Sequence, residues 1–322
     1  MNKDKSIKIA KNVIDLEINA LQKLKKSLNS SFADAVKAIV KCQSKVILCG
    51  VGKSFLIASK ISSTLSSVGS PSFALPASEC SHGDLGSISK KDLLILISNS
   101  GDTEELKPVI QFANRNKITL IGIVSKKKSV LYNASDIKLY MPEVKESGHG
   151  IVPTSSTTSQ LALGDALAIA SMDFKKFGKL DFKKFHPSGS LGARLKTAED
   201  LMVTGKKIPF INENANMKKA LKLISDKELG VLIVTDKNKL TKGIITDGQV
   251  RRSTLKTQNL ENKIVKNIMT KNPIGIEKNT LAVKALSIMN DKKITSLCVY
   301  NNNKKKTIGI LHIHNILAAK LN

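Results

Sequence analysis

From Val46 to Tyr140, short apolar runs alternate with helix-length segments, and no other feature limits the fold of this chain so severely. The runs are Val46–Cys49, Ser72–Leu75, Leu93–Ile97, Thr119–Val124 and Ile137–Tyr140, and helical patterns near 53–67, 103–115 and 156–171 lie between or after several of them. A strand that is apolar throughout needs cover on both faces, and strands alternating with helices of this length define a parallel sheet. The expectation is a doubly wound α/β domain over 43–192, with its ligand beyond the carboxyl ends of the strands. Residues 1–42 read as helix, because Ile14, Ile18, Leu21, Leu24 and Leu28 keep the three-and-four spacing of one buried stripe.

A linker rich in lysine, phenylalanine and glycine (173–192) precedes a different texture that occurs twice. Leu201-Met-Val-Thr, Ala220-Leu-Lys-Leu-Ile, Gly230-Val-Leu-Ile-Val-Thr-Asp and Gly243-Ile-Ile-Thr-Asp overlay on Ile268-Met-Thr, Ala285-Leu-Ser-Ile-Met, Ser296-Leu-Cys-Val-Tyr-Asn and Gly309-Ile-Leu-His-Ile. Two repeats follow, over 201–258 and 266–322, each one supersecondary unit and the pair burying a shared core.

At 322 residues the chain has room for two or three cores, and its hydrophobic content of 41% is that of an ordinary globular protein. The formal charge of +26 would suit a nucleic-acid partner, but only Arg115, Arg194, Arg251 and Arg252 carry the planar fork that reads bases and phosphates. Lysine is spread along the whole chain, tryptophan is absent, and aromatics at 4% are too scarce for a stacking platform. The excess reads as a solvated surface that also draws in anionic substrates. Cys42, Cys49, Cys80 and Cys298 share no CxxC spacing, so reduced core thiols fit better than disulfides or zinc and point to the cytoplasm. The first residues hold no uninterrupted apolar stretch, and the longest apolar runs are strand-sized, so neither export nor a membrane span is expected.

Three segments bring hydroxyls and glycines to helix starts. Lys45-Val-Ile-Leu-Cys-Gly-Val-Gly-Lys-Ser54 resembles two phosphate loops and satisfies neither: a Walker loop needs glycine at Ile47, and a dinucleotide fingerprint needs it at Phe55. What remains is local, with Gly50 and Gly52 letting amides approach an anion, Lys53 adding a full charge and Ser54 beside it. In the second segment, Ser98, Ser100, Gly101 and Thr103 precede acids. Asp102 and Glu104 read as helix-stabilising, and Glu105 is the acid that would face a ligand. The third, Pro153-Thr-Ser-Ser-Thr-Thr-Ser159, offers Ser155, Ser156, Thr157 and Thr158. Three such starts in one α/β unit point to a phosphate-bearing small molecule. Candidate proton carriers are His82 and His186, with Glu146 and His149 in the loop before the third segment; His312 and His314 have no third ligand nearby, so no metal is expected.

GVGKS, SECSHGDLG, SNSGDTEEL, PTSSTTSQLALGDALA and HPSGSLG, followed by repeats containing GIITDGQVRR and GILHIHNIL, resemble the arabinose-5-phosphate isomerase family. That family joins a sugar isomerase (SIS) domain to a tandem pair of cystathionine β-synthase (CBS) motifs. The resemblance implies interconversion of D-ribulose 5-phosphate and D-arabinose 5-phosphate through an enediol, without a cofactor, supplying Kdo for lipopolysaccharide. It implies roles for Lys53, His82, Glu105, Glu146 and His186, a site at a subunit boundary, and a homotetramer. Two departures stand out: the loop after Glu146, SGHGIVP, is shorter than usual and adds His149, and Gln249 and Asn315 stand where nucleotide-binding CBS units carry aspartate. A carboxylate that would accept from ribose hydroxyls is missing from both repeats, which favours a structural or differently tuned role. The rival functions are isomerisation of another phosphosugar and a SIS-type phosphosugar sensor, which would need a helix-turn-helix reader larger than residues 1–42 supply.

Overall fold

The computed structural model describes residues 3–186, 192, 194–256, 259–301 and 303–319. The chain divides into two compact units, Met1–Phe182 and Lys183–Asn322. The first is built on strands β1 (Val46–Gly50), β2 (Ser72–Pro76), β3 (Leu93–Ile97), β4 (Leu120–Val124) and β5 (Ile137–Tyr140), paired in the order β2-β1-β3-β4-β5. Every pairing is parallel.

Successive side chains of the central strands β1, β3 and β4 enter opposite cores, which is why those runs are apolar without alternation. Val46 and Leu48, with Ile95, Ile97, Ile121 and Ile123, meet helices α1 (Lys3–Ser27), α2 (Ser30–Lys41), α3 (Lys53–Ser67) and α8 (Ser155–Phe174) through residues such as Leu24, Ile39, Ile61 and Leu163. Ile47 and Cys49, with Leu94, Leu96 and Leu120, pack on the other side against Val109, Ile110 and Ala113 of α5 (Lys107–Asn116), and the short helices α4 (Ala77–Cys80), α6 (Val130–Ala134) and α7 (Gly148–Ile151) lie in the connections. Each fully buried Leu or Ile contributes roughly 1.5–3 kcal/mol. The amino ends of β1 and β3 are tied by Asp92, which accepts from Lys45 Nζ at 3.1 Å and from Ser89 N at 2.6 Å.

Two local expectations change. The segment 1–42 forms two helices, because Asn29 accepts from Ser31 N at 2.9 Å and restarts the chain as α2. The expected stripe is buried only in part: Leu24 is covered and Leu21 half-buried, whereas Ile14, Ile18 and Leu28 are 56%, 46% and 44% exposed. The helix expected over 103–115 opens as a single 3-10 turn, Glu104–Leu106, and becomes α-helical only at Lys107, with a proline in its first turn.

The second unit holds two four-stranded sheets, β10-β9-β8-β7 and β11-β12-β13-β6. Their strands are β6 (Val203–Thr204), β7 (Phe210–Asn212), β8 (Val231–Thr235), β9 (Thr241–Thr246), β10 (Thr270–Lys271), β11 (Gly275–Glu277), β12 (Ser296–Asn301) and β13 (Asn303–His312). The repeats exchange their first strands: β6 of the first pairs with β13 of the second, and β10 of the second with β9 of the first. Val231, Ile233, Cys298, Tyr300 and Ile310 fill one core between them, and the Thr241 and Thr307 hydroxyls bridge at 2.8 Å. Neither repeat has a complete sheet alone, which is why the motif occurs as a pair. His312 caps the helix Ile313–Ala318, its Nδ1 accepting from His314 N at 3.3 Å, so that nitrogen already has a structural partner. Among the described residues no helix is long and apolar enough to cross a membrane.

Candidate active site

Strand order reverses between β1 and β3, and the crevice beyond their carboxyl ends is where such a sheet accepts a ligand. The chain leaves β1 through a tight turn into α3. A Cβ on Gly50 would lie 2.9 Å from Phe55 N, and Gly52, at φ +56°, precedes the first helical residue, Lys53. Lys53 is exposed, with Ser54 half-buried next to it.

Helix α8 arrives beside α3 because Gly164 has no side chain. A Cβ there would come within 2.2 Å of Ile61 Cδ1, and one position on, Asp165 pairs with Lys60. Close packing of these two helices brings both amino ends to one cavity of about 430 Å³.

Glu146, in the loop before α8, governs the second of those ends. Its Oε2 accepts from Thr154 N at 2.8 Å, Thr154 Oγ1 at 3.3 Å and Ser156 N at 3.4 Å. Burial pushes its pKa up, but the hydrogen bonds from Ser156 and Thr154 outweigh it and hold the carboxyl below the ordinary glutamate range. Glu146 is therefore ionised at neutral pH and a weak base. It also takes the amides of Thr154 and Ser156 at the head of α8.

Of the residues singled out from sequence, Lys53, Ser54, Glu146, Ser156 and Thr157 line this cavity. The others are placed elsewhere for identifiable reasons. Ser98 is buried, its hydroxyl accepting from Gly101 N at 2.9 Å and meeting Thr103 Oγ1 at 2.8 Å, so the pair shapes its own loop. Ser100 is exposed at the tip of that loop, 3.5 Å from Ser98 Oγ. Ser155 faces the core and is fully buried, Thr158 is half-buried along α8, and Gly52 lies in the turn outside the lining. Asp102 accepts from Val130 N at 2.8 Å, capping a different helix, and Glu104 pairs with Lys107 at 2.6 Å. Glu105 is exposed on the 3-10 turn and does not line the cavity. His82 is exposed in the loop after Ala77–Cys80, and His149 is exposed in a turn at φ +65°. His186 belongs to the second compact unit. The remainder of HPSGSLG, apart from Gly192, lies outside the described residues.

Sequence reasoning missed Val51, Asn99 and Gln160 as lining residues. Asn99 stands between two serines whose hydroxyls are the more obvious signal; its Oδ1 accepts from Ser125 Oγ at 2.8 Å, tying the ends of β3 and β4 together. Among the described residues no group of three potential metal ligands is found.

A parallel sheet of this order, with a cation and a clamped carboxylate on one cavity at its switch point and an exchanged-strand repeat pair following it in the chain, defines a class. Residues 39–170 match the SIS domain model, and residues 198–256 and 265–322 match the CBS domain model. The chain is 38% identical over 311 residues to the arabinose 5-phosphate isomerase of Yersinia pestis, covering 96% of this chain and 94% of that one. It is 39% identical over 311 residues to the arabinose 5-phosphate isomerase of Francisella tularensis, covering 95% and 94%. An uncharacterised Rickettsia prowazekii protein is 38% identical over 310 residues, covering 96% of each. A structure of an Escherichia coli CFT073 protein in complex with arabinose 5-phosphate shares 37% identity and a TM-score of 0.56, covering 58% of this chain and all of that one. The chain belongs to the arabinose 5-phosphate isomerase family.

Proposed function

We propose that this chain interconverts D-ribulose 5-phosphate and D-arabinose 5-phosphate by proton transfer through an enediol, and that the product supplies Kdo synthesis. The observation that carries the reading is the presence of Lys53 and an ionised Glu146 on one polar cavity, in a chain whose end-to-end relatives bear this activity by name. Aldose–ketose isomerisation takes a proton from the carbon next to a carbonyl and returns one to its neighbour. It needs a base, an acid for the oxygens, and a grip on the phosphate.

Lys53 supplies fixed positive charge for the enediolate oxygen or the phosphate, with the Ser54 and Thr157 hydroxyls beside it. Glu146, held anionic, accepts from sugar hydroxyls and orients α8. Its depressed pKa makes it unsuited to shuttle protons near neutrality. Proton transfer is assigned to His82 and His186, with Glu105 as orienting acid. Among the described residues the lining holds no histidine, and His186 is assigned to reach a neighbour's pocket in a homotetramer. The exposed Ile7, Ile14 and Ile18 of α1 supply apolar surface for that assembly. A cytoplasmic location is proposed on the four free thiols.

The test is incubation with D-ribulose 5-phosphate in deuterium oxide without added metal, followed by NMR. Arabinose 5-phosphate carrying deuterium at carbon 2 is expected. Exchange into substrate without product would assign another phosphosugar, and complete silence would overturn the isomerase reading.

A further inference from the structure

Five buried side-chain oxygens among the described residues have no hydrogen-bond partner: the hydroxyls of Ser72, Ser147, Ser155 and Ser171, and Oε1 of Gln160. A buried acceptor without a donor is costly, and folded proteins keep few of them. The four serines lie outside the lining of the cavity described above; Gln160 is part of it. The residue is 1% exposed and its Oε1 is closed to solvent, so it is built into the wall of the cavity, and a turn of the amide about its last torsion presents the oxygen to a ligand.

Its position follows from helix geometry. Gln160 stands four residues after Ser156 on α8, and residues four apart share one face. Ser156 N is already given to Glu146, so along that face a carboxylate comes first and a neutral amide one turn deeper. The two acceptors differ in charge. Glu146 and Lys53 deal with ionic or developing charge, whereas an amide oxygen selects a neutral donor and gains nothing from phosphate.

We propose that Gln160 is a substrate-binding residue, its side-chain oxygen accepting a hydrogen bond from a hydroxyl of the bound phosphosugar. The proposal rests on the isomerase reading and deepens it. The orphaned oxygen is the half of a hydrogen bond that the ligand completes, and it sets specificity for a polyhydroxylated chain over a bare phosphate.

Gln160→Leu tests this, since leucine keeps most of the volume and removes the acceptor. The KM for D-ribulose 5-phosphate is expected to rise about tenfold with kcat within a few-fold, the loss of one hydrogen bond left unmade. The ligand-free protein is expected to melt no lower than the parent, because an unsatisfied buried amide has been exchanged for an apolar group. Thermal protection by the phosphosugar should shrink, and protection by inorganic phosphate should not. Gln160→Asn, which withdraws the oxygen by one methylene, should raise KM by about threefold to tenfold and serves if the leucine variant does not fold. A parental KM in the variant that folds would overturn the proposal, as would equal loss of protection by phosphosugar and by phosphate, the signature of a structural role. If the parent itself neither converts ribulose 5-phosphate nor is stabilised by it, the isomerase reading falls and this inference with it.

Discussion

The two units each hold a cavity of similar size, about 430 Å³ in the first and about 470 Å³ in the second, yet they use their polar side chains differently. In the second, the positions where a nucleotide-binding repeat would carry aspartate are given over to the scaffold. Gln249 Nε2 donates to Ile268 O and its Oε1 accepts from Thr270 Oγ1 at 3.1 Å, which fastens the helix Asp247–Lys256 to the exchanged strand β10. Asn315 Oδ1 accepts from His312 N at 3.1 Å as half of a capping box. In the first, Lys53 stands exposed at the head of α3 and Gln160 keeps an oxygen in reserve. Gln249 and Asn315 are taken up by the scaffold, whereas the Gln160 oxygen has no partner within the fold.

The comparison breaks most sharply at the cations. Lys53→Ala is expected to lower turnover by about 10²–10³, the scale of removing one group that stabilises developing negative charge. Its melting temperature should stay at the parental value, because the side chain is exposed and carries no packing against the core. Arg252→Ala, which removes a cation from the second cavity, should leave turnover within about twofold, the range of a surface change remote from the chemistry. If both substitutions reduce turnover equally, the distinction between a reactive and a structural cavity is wrong.

Glu146→Gln comes next, with a loss of about tenfold to a hundredfold in kcat/KM expected from weakening a charge-assisted acceptor. Acid melts sharpen this. The folded-state pKa of Glu146 is depressed, so its contribution to stability is present above the unfolded glutamate value of about 4.3 and is lost as pH falls through the lower folded value. The parent should therefore lose stability below about pH 4.3 more steeply than Glu146→Gln does. Parallel curves would mean that the clamp on α8 contributes nothing.

How far the sequence carries this differs from element to element. The central strands β1, β3 and β4 are legible because both faces of each are buried, whereas the edge strands β2 and β5 are half-buried and show a weaker signal. Gly52, Lys53 and Ser54 are legible because a strand, two glycines and a helix start leave few conformations. The Pro153–Ser159 segment shows where local signals stop: its hydroxyl pattern marks a helix start, but which anion meets the amides depends on Glu146 reaching across the loop 147–153, shaped by tertiary contacts. Gln160 carries no signal, since α8 is apolar on most sides and one amide in it reads as tolerated. The stripe on α1 reads as core because periodicity reports an apolar face, not what covers it.

Packing of α3 on α8 offers the next perturbation. Gly164→Ala drives a methyl into Ile61, and overpacking of this kind costs about 1–3 kcal/mol. Because that contact sets the spacing of the two helix ends, kcat should fall several-fold alongside the melting temperature. A variant that loses stability with full kcat would show that the cavity tolerates movement of α8.

The smallest effect is expected where the second unit has tied up its amide. Gln249→Ala deletes the hydrogen bonds to Ile268 O and Thr270 Oγ1, a loss of about 1–2 kcal/mol for two partly exposed contacts that water can replace in part. Turnover should be unchanged, since the residue serves only the seam between the repeats. Gln249→Asp is the more telling partner: it restores the carboxylate but removes the donor to Ile268 O, so it should lose the same stability and gain no thermal protection from adenosine nucleotides. Protection appearing in that variant alone would mean that one side chain separates the structural pair from a sensing pair, and that the neighbouring cavity lined by Asp247, Gly248 and Arg252 had kept the rest of a nucleotide site.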